Sequence, residues 1–197
     1  VELVVIDNNE YALYRVDLEL RNDYQDLVFS SVLGDVCDPA TVEKMVGRYK
    51  PDVIFHAAAY KQLPMLQNQV REASRNNVIG TRRVAEAADR HGVGTFVLIS
   101  TDKAVNPANI MGATKRVAEM YCQSMNAHSD TRFITVRFGN VLNSNGSVVP
   151  LFQEQIERGG PVTVTHPEIS RYFMTIAEAS QLIMQAALLG RGGEIYV

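Results

Sequence analysis

Short apolar runs rich in β-branched residues alternate along this chain with longer segments of helical periodicity, and that alternation constrains the fold more than any other feature. Strand-like runs lie at about 2–6, 27–33, 52–56, 95–100 and 132–138, with helical patterns at about 10–21, 39–49, 70–90 and 112–127. His91-Gly92 ends the helix over 70–90. Strands that are apolar on both faces need cover on both, and strands separated by helices run parallel. The pattern therefore predicts a doubly wound parallel α/β sheet over residues 1–142. Beyond residue 142 it changes to a helix near 148–158, a short Pro161–Val164 strand, a helix near 176–189 and a closing strand. That stretch, 143–197, is expected to form a small substrate lobe interleaved with the sheet. The chain opens and closes within strand-like runs, so a longer parent is expected, with a first strand and glycine-rich turn before Val1.

Composition narrows the functional classes. The 197 residues, 46% hydrophobic and 21% charged, suit one soluble globular domain with a small lobe. A net charge of -3 and the lack of any Lys/Arg run speak against nucleic acid or an anionic membrane surface, so a small ligand is expected. No apolar run reaches the roughly 18 residues that cross a bilayer. Cys37 and Cys122 lie far apart and read as reduced thiols of a cytosolic compartment, and neither they nor the four histidines have metal-ligand spacing. No metal is expected.

The carboxyl edge of such a sheet is where ligands bind, and the ionisable residues fall there. Ser100-Thr101-Asp102-Lys103 ends the strand over 95–100, and Met111-Gly112-Ala113-Thr114-Lys115 opens the helix that follows. Lys115 lies one turn after Met111, on the same helical face. Asp7, directly after Leu3–Ile6, is placed to accept hydrogen bonds from an adenosine ribose, which would favour NAD over NADP; it equally suits a helix cap. Asp35-Val36 would flank an adenine or make a plain turn. Ala57-Ala58-Ala59 would let backbone approach a ligand closely, or serve ordinary helix packing.

Taken together, Asp7, Asp35-Val36, the run from His56 to Lys61, Asn76-Asn77-Val78-Ile79-Gly80-Thr81, Ser100–Lys103 and Met111–Lys115 resemble an extended short-chain dehydrogenase/reductase with a Rossmann-like sheet. Within that superfamily the chain resembles the polysaccharide-biosynthesis nucleotide-sugar 4,6-dehydratases, the group containing the capsular and O-antigen UDP-N-acetylglucosamine dehydratases. Arg137–Leu142, Gly146–Pro150 and Ser170–Thr175 also match that pattern. Two departures stand out: Met111 occupies the position where the superfamily usually has a tyrosine, as in one branch of the dehydratases, and Asn143 and Asn145 stand where the family commonly has Gly and Arg.

The resemblance implies a bound NAD, or NADP, that is held tightly and regenerated each turnover. It assigns Lys103 as the base for the carbon-5 proton, Asp102 as the acid for the departing hydroxyl, and Thr101 to the carbon-4 oxygen. Lys115 and Met111 are counted with these catalytic residues, both looking into the crevice while Lys115 holds the nicotinamide ribose. Asp7, Asp35, Val36, Ala57, Ala58, Ala59 and Asn77 would line the cofactor, and Lys61, Asn140 and Arg171 the UDP-sugar. A homo-oligomer through the helices near 70–90 and 112–127 is implied, in the cytoplasm or at the cytoplasmic face of the inner membrane. A nucleotide-sugar 4-epimerase and a non-catalytic nucleotide-binding protein of the same fold are the competing readings.

Overall fold

The structure is a computed structural model that describes residues 2–142, 144, 148–164, 166–168 and 170–197. Its first half contains β1 (Glu2–Asp7), α1 (Glu10–Asp23), β2 (Val28–Leu33), α2 (Pro39–Tyr49), β3 (Val53–His56), α3 (Leu63–Leu66), α4 (Val70–Ser74), a π-helical segment Arg75–Gly80 and α5 (Thr81–Arg90). There follow β4 (Thr95–Thr101), a 3₁₀ turn Asp102–Ala104, α6 (Ile110–Asn126), β5 (Arg132–Phe138), β6 (Asn140–Val141), α7 (Val148–Glu157), β7 (Phe173–Met174), α8 (Ile176–Leu189) and β8 (Ile195–Tyr196).

Short polar side chains set the helix starts by accepting bonds from the unpaired first-turn amides. Asn9 accepts from Ala12 N at 2.9 Å to open α1. Asp38 caps α2, and Pro39 follows at a position where no N–H is needed. Asn109 accepts from Gly112 N at 2.8 Å at the head of α6. Thr175 and Glu178 form a reciprocal capping box on α8.

All strand pairs are parallel. β3-β4-β5-β8 make one sheet, β1-β2 a second and β6-β7 a third, so the parallel α/β architecture is present in three hydrogen-bonded pieces. β4 is the central strand, and its Phe96, Val97 and Leu98 have no exposed surface. On one face Phe96 and Leu98 pack with Phe133, with Val42 and Val46 of α2, with Val84, Ala85 and Ala88 of α5, and with Ala118 and Cys122 of α6. On the other, Val97, Ile134 and Val136 pack with Ala186 of α8. Helices on both faces explain why β4 is apolar from Phe96 to Ile99; a Phe buried this way contributes about 1.5–3 kcal/mol.

Two expectations are corrected. Pro161–Val164 is irregular and not a strand, because Gln155 of α7 accepts from Thr163 N at 2.9 Å and donates to Thr163 Oγ1 at 3.2 Å, taking bonds that a ladder would use. The helix over 70–90 is not uniform: its middle turn widens to the π-helical Arg75–Gly80 and carries the buried Asn76 and Asn77. Asn143, Asn145 and the Gly146-Ser147 part of the predicted motif lie outside the described residues.

One buried hydroxyl, Oγ1 of Thr131, has no hydrogen-bond partner among the described residues, although Thr131 is only 3% exposed. Burying an unpaired hydroxyl costs free energy that a methyl of the same shape does not. Thr131→Val is therefore expected to stabilise the fold by about 1 kcal/mol, or roughly 2–4 °C in Tm, in a thermal melt. A lower Tm would show that the hydroxyl is paired.

Candidate active site

The carboxyl end of β4 passes directly into the 3₁₀ turn, and three polar side chains close on one another there. Thr101 Oγ1 donates to Asp102 Oδ1 at 2.8 Å and accepts from Lys103 N at 3.4 Å. Lys103 Nζ donates to the same Asp102 oxygen at 2.8 Å and reaches Asn140 Oδ1, at the start of β6, at 3.3 Å. Partial burial pushes the Asp102 carboxyl up, but the bonds from Lys103 and Thr101 outweigh it and hold the group below the usual carboxylate range. The resting pair is a contact ion pair, half shielded from water.

Helix α6 lies against this turn because of one glycine. A Cβ on Gly112 would sit 2.4 Å from the carbonyl oxygen of Lys103, so no side chain fits between helix and turn. Less than one turn further on, Lys115 is 4% exposed, and no hydrogen-bond or ion-pair partner among the described residues reaches its ammonium. Burial lowers it from the ordinary 10.5 to about 8, against the pull of Cys122 and Glu119. The neighbouring His56 is pushed to about 3, by burial first and by the Lys115 cation second, and stays neutral. Thr81 Oγ1 donates to Asn77 O, so His56 Nε2 at 2.9 Å is the donor to that hydroxyl.

Two expected site residues have side chains buried within the protein. Asn77, expected to line the cofactor, has no exposed surface, and every polar atom of its side chain is bonded inside the protein. Its Nδ2 donates to Tyr60 O and Thr114 Oγ1, each at 3.0 Å, and its Oδ1 accepts from Tyr60 N at 2.7 Å and Asn76 Nδ2 at 3.2 Å. Asn77 thus fastens the loop after β3 to α6. Met111 packs in an apolar cluster with Leu66 and Ala73, against Leu63 and Ile110, where an uncharged thioether fits and a phenol would need a partner.

The remaining residues stand at or near other strand ends. Ala57, Ala58 and Ala59 continue from β3, and Lys61 beyond them donates across to Ser144 Oγ at 3.4 Å, its ammonium lowered by partial burial. Asn140 N donates to Tyr172 O at 2.9 Å, which brings the exposed Arg171 beside β6; a Cβ on Gly139 would meet that carbonyl at 2.7 Å. Asp7 closes β1, exposed, with Oδ1 accepting from Asn9 N at 2.7 Å. Asp35 accepts from Cys37 N at 2.8 Å and pairs with Arg75 at 3.5 Å, while Val36 packs on Gly80 of the π segment. A carboxylate at the end of β1, small residues after β3 and a buried, unpaired lysine cation on α6 are donors and acceptors that suit the ribose hydroxyls of a dinucleotide.

Sequence reasoning missed Glu119 of α6 as part of this edge. Its carboxylate is fully buried and binds Ser100 and Arg137, the last side chains before the two functional strand ends. The signal was present: Glu119 stands one turn after Lys115 on the helix face that also carries Ala118 and Cys122.

Comparison with known proteins agrees with this architecture. The model of a family described as polysaccharide biosynthesis protein matches residues 1–197. The chain is 50% identical over 197 residues to the probable polysaccharide biosynthesis protein EpsC of Bacillus subtilis. It is equally 50% identical over 198 residues to the capsular polysaccharide biosynthesis protein CapD of Staphylococcus aureus. All of the chain aligns in both cases with 33% of the relative, so it spans a third of their length. A UDP-glucose 4-epimerase of Rickettsia canadensis is 38% identical over 98% of this chain and 58% of its own. Among solved structures, Pen from Bacillus thuringiensis superposes with a TM-score of 0.89 at 34% identity, over 98% of this chain and 59% of that one. A dTDP-glucose 4,6-dehydratase from Streptomyces venezuelae superposes at 0.86 with 22% identity, over 99% and 65%, a likeness of fold.

Lys115 carries a measurable cost. Lowering its ionisation from 10.5 to about 8 corresponds to roughly 3 kcal/mol of unfavourable burial of the charge. Because the folded state holds this proton less tightly than the unfolded chain, the cost is full below pH 8 and fades as pH rises to 10.5. Lys115→Met is expected to raise stability by up to about 3 kcal/mol in urea unfolding at pH 7, with the gain shrinking towards pH 10. A destabilised variant, or a gain independent of pH, would contradict the burial account.

Proposed function

The chain belongs to the polysaccharide biosynthesis protein family, and from that premise we propose that it is part of an NAD-dependent nucleotide-sugar 4,6-dehydratase acting on UDP-N-acetylglucosamine. The observation that carries this reading is the Lys103–Asp102 contact at 2.8 Å, held at a sheet's carboxyl edge on the turn that α6, the helix of Lys115, meets at Gly112. An epimerase needs no elimination pair, whereas loss of water across carbons 5 and 6 needs a base and an acid within one sugar ring of each other.

The pair supplies both from a single proton movement. Transfer from Lys103 Nζ to Asp102 Oδ1 along their hydrogen bond turns the ion pair into an amine and a carboxylic acid. Exclusion of water by a bound sugar favours that neutral form, because desolvation penalises charge. The amine then takes the carbon-5 proton while the acid protonates the carbon-6 hydroxyl as it leaves. Elimination restores the ammonium and carboxylate, so the pair finishes as it began. A nicotinamide, when bound, would take up the carbon-4 hydride and give it back at carbon 6. The carbon-4 hydroxyl proton would leave through Thr101 to solvent, and carbon 5 would regain a solvent-exchanged proton from Lys103, which solvent then reprotonates. Lys115 would orient its ribose, and Thr101, already bonded to Asp102, would meet the carbon-4 oxygen. Asn140 and Arg171 would take the UDP portion, Arg171 by the forked geometry that suits phosphate.

The 38% identity to the Rickettsia canadensis 4-epimerase favours a second reading in which hydride returns to carbon 4. Val117 and Met120, on the exposed side of α6, support assembly of two copies through this helix, as the resemblance implies. Among the described residues no helix is long and apolar enough to cross a membrane.

The full-length protein is expected to convert UDP-N-acetylglucosamine in deuterated water to a sugar with a carbon-6 methyl and deuterium at carbon 5, read by proton NMR. Inversion at carbon 4 alone would establish the epimerase, and an unchanged sugar would exclude this substrate. Lys103→Met should lower product formation at least about 100-fold yet accumulate reduced nicotinamide, because only elimination is blocked. Loss of both signals would remove Lys103 from the elimination step.

A further inference from the structure

Three separate parts of the candidate site meet at one buried side chain. Glu119 has no exposed surface, and its two carboxylate oxygens accept four hydrogen bonds. Ser100 Oγ donates to Oε1 at 2.5 Å, Arg137 donates through Nε to Oε1 at 2.8 Å and through Nη2 to Oε2 at 2.6 Å, and Arg116 reaches Oε2 at 3.2 Å. Ser100 and Arg137 are register partners on β4 and β5. Ser100 directly precedes Thr101-Asp102-Lys103; Arg137 lies three residues before Asn140, which accepts from Lys103. Glu119 itself is one helical turn after Lys115, and the same helix touches the Lys103 carbonyl at Gly112.

We infer that Glu119 is a positioning residue for the reaction, tying the ends of β4 and β5 to α6 so that Asp102, Lys103, Asn140 and Lys115 keep one geometry. The inference rests on the elimination reading of the Asp102–Lys103 pair. Nearby cores are filled by Phe96, Phe133, Ala118 and Cys122, and apolar residues replacing Glu119 and Arg137 together would match them at little cost in stability, since buried ion pairs rarely gain much over good packing. What an apolar residue would not do is fix two neighbouring strand ends to a helix by directional bonds.

The carboxylate also acts on the Lys115 ammonium, which burial lowers and Glu119 raises. The other groups that face this ammonium are the neutral His56 of β3 and the Cys122 thiol, pushed up to about 12 by burial. Arg116 and Arg137 pair with Glu119 and lose their counter-charge when it is neutralised. Removing the negative charge therefore lowers Lys115 further.

The test uses the full-length protein carrying Glu119→Gln, with Glu119→Asp and Ser100→Ala beside it. In Glu119→Gln we expect kcat to fall about 30-fold or more, KM for UDP-N-acetylglucosamine to stay within about twofold, and the alkaline limb of kcat to move down by about one pH unit. Hydrogen exchange of the substrate-free protein should quicken roughly tenfold at Thr101–Ala104 and Asn140–Val141 and stay unchanged at Val97–Leu98. Glu119→Asp should recover part of kcat. Ser100→Ala, which leaves no buried charge unpaired, should lower kcat several-fold while the protein stays folded with a Tm lower by only a few degrees, and it decides the matter if Glu119→Gln does not fold. Uniform acceleration of exchange along β4 and β5, or a kcat within threefold of the parent in both Glu119→Gln and Ser100→Ala, would overturn the inference. Failure of the parent protein to turn over the sugar would count against the dehydratase reading, while the exchange experiment would still judge Glu119.

Discussion

Strand β4 is the element on which the rest depends, because it has nowhere to move. Phe96, Val97 and Leu98 are enclosed by α2, α5 and α6 on one side and by α8 on the other, at the density of a protein interior. A strand fixed in this way transmits its position to its end. Thr101, Asp102 and Lys103 inherit that rigidity, and α6 is brought against them by the only residue type that fits at Gly112. Sites built on such ends hold geometry better than sites on free loops.

The electrostatics follow from the packing. Lys115 is buried where water would otherwise solvate it, and it keeps a charge only at a cost in stability. Glu119 is buried too, yet its four donors outweigh the burial that pushes its carboxyl up, and it remains ionised. The two groups sit on one helix face with opposite outcomes, one satisfied and one left with donors to spare. In the account proposed above, the satisfied charge positions the strand ends and the unsatisfied one orients the cofactor ribose. Asp102 and Lys103 lie between these extremes, half shielded and bonded to each other, and the proposed mechanism has the loss of water shift their shared proton.

Much of this was legible in the sequence, for physical reasons that differ from residue to residue. The apolar run Phe96–Ile99 can only be a strand covered on both faces, and the Thr101-Asp102-Lys103 cluster follows it directly, so local order sufficed. Lys115 is read from the same stretch, as part of the Met111–Lys115 motif that opens the next helix. Glu119 was not, because a glutamate on a helix ordinarily faces water, and only the tertiary arrangement brings Arg137 and Ser100 to it. Val162-Thr163-Val164 has strand propensity, but propensity yields to a partner, and Gln155 supplied one first. Asn77 carries no sequence sign that its amide is consumed by Tyr60 and Thr114; the π-helical turn that aims it inward has no pattern of its own.

The central claim is that Asp102 and Lys103 exchange a proton when the sugar closes over them. The most direct measurement is carbon-13 NMR of the Asp102 side-chain carboxyl in the full-length protein, titrated free and then with UDP-N-acetylglucosamine and cofactor bound. The free carboxyl should titrate below the usual aspartate range, as its bonds from Lys103 and Thr101 require, and the bound one should carry a proton at neutral pH. An Asp102 that stays ionised in the ternary complex would contradict the account, and the acid for the departing hydroxyl would have to be another group.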